Sequence, residues 1–74
     1  MKLTEKQVDF LSDFNRLYGL DLSNCVAPER SSRKAVTVMT AKLSETDISS
    51  LGRFCSSRNL QVEPNGYKTL AIFV

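Results

Sequence analysis

Hydrophobic positions along this chain alternate between helical and strand-like spacing, and each switch marks an element. Val8, Leu11, Phe14, Asn15 and Tyr18 fall on one helical stripe, which Phe10 and Leu17 widen. Thr4-Glu5-Lys6-Gln7 fits a capping box ahead of that stripe, and Gly19 suits a left-handed stop after it. The spacing therefore predicts a helix over 5–18. Ala35 to Leu43 reads as a strand, with Ala35, Thr37, Met39, Ala41 and Leu43 on one face and Val36, Val38, Thr40 and Lys42 on the other. Neither face is clearly polar. This points to a central strand, or to a sheet covered by helices on one side and by a partner on the other.

Ser44 caps a second helix whose first turn carries Glu45 and Asp47, acids that suit the positive end of a helix dipole. Ile48, Leu51, Phe54 and Cys55 form its inner stripe, and Asn59 suits a left-handed position at its end. A β-hairpin follows. Pro64 and Asn65 fit the centre of a type I turn and Gly66 a bulge position. Leu60, Val62, Leu70, Ile72 and Val74 share one face, while Thr69, Ala71 and Phe73 share the other. Residues 20–33 form a long linker broken by Pro28 and serines, with a short extended piece near Cys25-Val26.

The expected fold is thus a small single α+β domain over residues 1–74, in the order α-β-α-β-β. It has a three-stranded mixed sheet with two helices on one face. At 74 residues the chain buries only about 60% of its unfolded surface, so its core is small. The apolar and charged fractions, 42% and 24%, are those of a globular protein rather than a disordered one. No apolar run approaches a membrane span, and no apolar stretch follows Met1-Lys2-Leu3-Thr4-Glu5-Lys6. A cytoplasmic location without membrane contact is the expectation, with Cys25 and Cys55 as reduced thiols.

The candidate chemistry is sparse. The chain has no histidine, which removes the commonest general base and the commonest transition-metal ligand. No glycine-rich phosphate loop and no metal-ligand spacing occurs, so no cofactor, metal or catalytic residue is assigned. Asp9 and Asp13 share a helix face, but beside Lys6 and Arg16 they read as a solvated surface. Cys55, on the inner stripe, reads as core filling.

Net charge is only +2, yet Arg30, Arg33 and Lys34 cluster, and Arg53, Arg58 and Lys68 extend the set of phosphate-binding candidates. The cluster lacks interleaved aromatics of the kind that stack on single-stranded bases. The hairpin resembles the wing of winged-helix proteins, but only one helix lies between Leu43 and Leu60, so no recognition helix precedes it.

These features describe a non-enzymatic protein that works by binding. The leading expectation is a protein-interaction module, whether adaptor, inhibitor or regulator, self-association included. Its candidate interface is a sheet face formed by Val36, Val38, Ala71 and Phe73, left uncovered by the two helices. Short chains of this kind are encoded by phages and mobile elements to modulate host machinery. The alternative is nucleic-acid binding through the basic loop 30–34 and the helix-two arginines.

Overall fold

A computed structural model describes residues 3–74, so Met1 and Lys2 of the N-terminal segment lie outside the described residues. Helix α1 (Glu5–Tyr18) is followed by strand β1 (Val36–Met39), helix α2 (Glu45–Ser57) and strands β2 (Val62–Pro64) and β3 (Thr69–Ile72). Short 3-10 turns occupy Leu22–Asn24, Pro28–Arg30 and Thr40–Lys42. The fold is α+β, with its main elements in the expected order.

The helix ends follow local chemistry. Gln7 N–H donates to Thr4 Oγ1 at 3.2 Å, and Thr4 N–H donates to Gln7 Oε1 at 3.0 Å. These bonds close the capping box. Gly19 stops α1 in the left-handed region at φ 69°. Ser44 Oγ accepts from Asp47 N–H at 3.1 Å to start α2, and Asn59, at φ 57°, follows its last turn.

The sheet order is β1-β3-β2, and both neighbouring pairs are antiparallel. β1 and β2 run in the same direction but do not touch, because the hairpin folds β3 between them. The result is a split β-α-β unit, which makes the sheet antiparallel throughout rather than mixed. Composition explains the placement: the apolar Leu70-Ala71-Ile72 segment takes the centre, while Glu63 and Pro64 sit on the rim.

Register decides which strand residues share a face. Val36 lies opposite Ile72, Val38 opposite Leu70, and Val62 also opposite Ile72. All five therefore point to the helix side, where Phe10, Phe14, Leu51, Phe54 and Cys55 complete the core. Phe54 is the hub, with the Phe10 and Phe14 rings 5.2 and 5.4 Å from its own. A fully buried side chain of this size contributes roughly 1.5–3 kcal/mol. On α1 the buried stripe is Gln7, Phe10, Leu11 and Phe14, one position round from the expected one, so Val8, Leu17 and Tyr18 are exposed.

The hairpin turn also shifts. Pro64 remains within β2, Asn65 N–H donates to Thr69 C=O at 2.8 Å, and the reversal falls on Gly66, Tyr67 and Lys68. Gly66 and Lys68 both carry positive φ, at 94° and 49°. Proline is tolerated at position 64 because the N–H there would face away from β3 and take no part in the ladder.

Candidate functional site

The two sheet edges differ. The outer side of β1 is closed by the linker. Val26 bridges Val38, Met39 N–H donates to Cys25 C=O at 2.7 Å, and Ala27 N–H donates to Thr37 C=O at 3.0 Å. The next rung runs through a side chain: Thr37 N–H donates to Ser31 Oγ at 2.9 Å, and that hydroxyl donates to Ala27 C=O, also at 2.9 Å. Gln7 fixes the same linker from α1, its Nε2 donating to Ser32 C=O at 2.7 Å. The extended piece near Cys25-Val26 thus serves as an edge cover.

The linker also covers the sheet face away from the helices. The Thr37 hydroxyl donates to Arg30 C=O at 3.0 Å, and Ala35, Thr37, Thr69 and Ala71 are all buried. This corrects the expected interface. Val36 and Val38 are 0% exposed in the helix-side core, and Ala71 is buried on the opposite face. Of the four, only Phe73 reaches solvent, at 38% exposure. No partner is needed to cover either face of β1.

The outer side of β2 carries no strand among the described residues. Gln61 C=O accepts from Phe73 N–H at 2.9 Å, and Asn65 N–H reaches Thr69. Strand alternation then turns the Val62 N–H and the Val62 and Pro64 carbonyls outward. Beside this edge runs an apolar groove of about 370 Å³, lined by Ile48, Leu51, Cys55, Leu60, Val62 and Leu70. Gly52 lies on its α2 wall, and a Cβ added there would meet nothing within 4 Å.

The Cys55 thiol is 1% exposed, and burial pushes it up to about 11 from the ordinary 9.0. Both cysteines are unbridged and buried. Because the folded value is raised, the thiol's contribution to stability is complete below about pH 9 and is lost as pH rises through about 11. Thermal melts from pH 8 to 11 should fall more steeply for the native chain than for Cys55→Ala. Parallel slopes would refute this.

The predicted cations separate into groups. Arg58 is committed to the helix layer: Nη2 lies 2.7 Å from Asp13 Oδ2, and its guanidinium sits 4.5 Å from the Phe54 ring centroid. Asp13 also pairs with Arg16 at 2.9 Å. Arg53 is exposed on α2 beside Glu45, Ser49 and Ser50. Arg33 and Lys34 are exposed just before β1. The Arg30 guanidinium reaches the hairpin turn that also carries Lys68, since a Cβ on Gly66 would lie 3.7 Å from Arg30 Nη2. Tyr67, next to Lys68 in the turn, is 87% exposed and carries no marking signal in the charge pattern. Its place next to a turn glycine is the only signal that could have marked it.

No group of His, Cys, Asp and Glu among the described residues is placed to hold a metal ion, and no described helix is long and apolar enough to cross a membrane. No protein-family model matches this sequence, and neither a curated protein nor a solved structure matches it.

Proposed function

We propose that this protein is a small non-enzymatic interaction module, an adaptor, inhibitor or regulator, that captures an extended segment of a protein partner along the β2 edge. One observation carries the reading: the edge with outward-facing backbone groups adjoins an apolar groove, while the opposite edge is closed by the protein's own linker. An added strand would gain main-chain hydrogen bonds at Val62, and its alternate side chains would enter the groove. Pro64, with no N–H to offer, limits the pairing to a short stretch and blunts the edge against indiscriminate pairing. The buried thiols and the absence of histidine favour binding over catalysis.

Gly52→Leu tests the reading without weakening the fold, because leucine improves helix propensity by up to about 1 kcal/mol and projects into open space. Random twelve-residue segments displayed on phage would be selected against the immobilised protein. Selected segments should alternate apolar and polar residues, protect the Val62 amide from hydrogen exchange, and bind Gly52→Leu at least tenfold more weakly. Segments that bind both forms equally and leave Val62 unprotected would sink the proposal.

A further inference from the structure

The hairpin tip between β2 and β3 is a second surface, outside the residues that line the groove. Tyr67 stands 87% exposed in the turn, the most exposed large hydrophobic side chain among the described residues. Lys68 Nζ lies 5.3 Å from its ring centroid. Arg30 arrives from the linker: its carbonyl accepts from the Thr37 hydroxyl over β1, while its guanidinium reaches the turn at Gly66. Arg33 and Lys34 follow three and four residues later, ahead of β1, whose first residue Val36 pairs with Ile72 at the strand end away from the tip. The ion pairs among the described residues all involve Asp13, so these cations have no carboxylate partner there. The nearest acids in sequence are Glu29 and Glu63, and Glu63 is engaged by the Gln61 amide at 2.7 Å.

We infer that this tip binds single-stranded nucleic acid, with a base stacked on Tyr67 and the flanking phosphates held by Arg30 and Lys68. The arrangement supplies the aromatic that the basic loop lacks in sequence. An exposed ring with a lysine ammonium at one face and an arginine at the same turn suits an unpaired base, because every base offers a π-face and every linkage a negative charge. A duplex keeps its bases stacked and offers Tyr67 nothing to receive. The left-handed backbone at Lys68, unusual for a residue with a side chain, sets its ammonium beside the ring. Ser31 contributes no phosphate contact, because its hydroxyl is committed to Ala27.

The test is fluorescence anisotropy with a labelled twelve-residue oligo-dT, its abasic counterpart and a twelve-base-pair duplex, at low salt. The single strand should bind best, with log K falling against log salt at a slope of about −1.4 for the two contacts at Arg30 and Lys68. Tyr67→Ala should weaken binding at least about 5-fold and Tyr67→Phe should restore it, while Arg30→Gln should lessen the salt slope by about 0.7. Circular dichroism should show every variant folded. Equal binding of the abasic strand, preference for the duplex, or no binding at all would each overturn the inference. Gly52→Leu should leave oligonucleotide binding unchanged, so failure here and failure of the edge reading are separable.

Discussion

Gln7→Leu is expected to destabilise the protein by about 2–3 kcal/mol, lowering the melting temperature on the order of 10–20 °C for a domain of this size. Gln7 is 0% exposed, and its amide works in two directions. Its oxygen accepts from Thr4 N–H and closes the helix cap, while its nitrogen donates to Ser32 C=O across the interface with the linker. Leucine fills nearly the same volume but leaves the cap bond unmade and the Ser32 carbonyl without its donor. Gln7→Glu separates the two duties. The acid keeps an acceptor for Thr4 but turns an oxygen toward Ser32, so burial raises its folded pKa above the usual carboxylate value of about 4.3. Stability carried by the protonated form is complete below that value and is lost as pH rises through the raised one. Gln7→Glu should therefore approach the native chain at pH 4 and fall to the level of Gln7→Leu at pH 7. Equal deficits at both pH values would mean that the Ser32 bond contributes nothing.

Ser31→Ala should cost about 2–3 kcal/mol, although it removes a single oxygen. The hydroxyl relays one rung of the β1 edge, between a Thr37 amide and an Ala27 carbonyl that are both buried. Without it a buried donor and a buried acceptor each lose a partner, and each such loss costs roughly 1–3 kcal/mol. Ser31→Thr retains the hydroxyl and should recover part of the loss. Hydrogen exchange gives a local check: the Thr37 amide should exchange much faster in Ser31→Ala, while amides in the middle of α2 change only with global stability. Unchanged protection at Thr37 would show that residues 25–27 close directly onto β1.

The helices were legible because their signals are local. Thr4 with Gln7, Gly19, Ser44 and Asn59 each act within a few residues of themselves, and α1 runs from Glu5 to Tyr18 as the spacing predicts. Strand faces were legible within a strand but not between strands. Alternation correctly separates Ala71 and Phe73 from Leu70 and Ile72, yet nothing local says that Val36 lies opposite Ile72. Grouping Val36 and Val38 with Phe73 was an error of register. The all-round apolar character of β1 points to a central strand or to a partner-covered sheet; instead β3 takes the centre, β1 is an outer strand, and its second cover is the linker. That cover depends on Ser31, Arg30 and Gln7 meeting groups that only the folded chain brings near. β1 itself ends at Met39, short of the expected Leu43: Thr40 N–H makes one last bond to Lys68 C=O at 2.7 Å, beyond which β3 has no further strand residue to pair with, and the chain enters a 3-10 turn closed by Leu43 N–H on Thr40 C=O. The hairpin tip is half legible: the charge pattern points to Lys68, but Tyr67 and the reach of Arg30 depend on where the turn falls.

The central position of β3 also governs how the chain comes together. β1 and β2 pair, among the strands, only with β3, which follows both of them in the chain. A nascent chain stopped at Lys68 could form two helices and the linker cover, but no pair among its main strands. Closing the sheet joins Val36 to Ile72 across nearly half the sequence, a long loop closure that should set the folding rate. Until then Val36 and Val38 lack the strand that seats them. The hazard of misassociation therefore falls during synthesis, before β3 arrives, rather than in the finished protein.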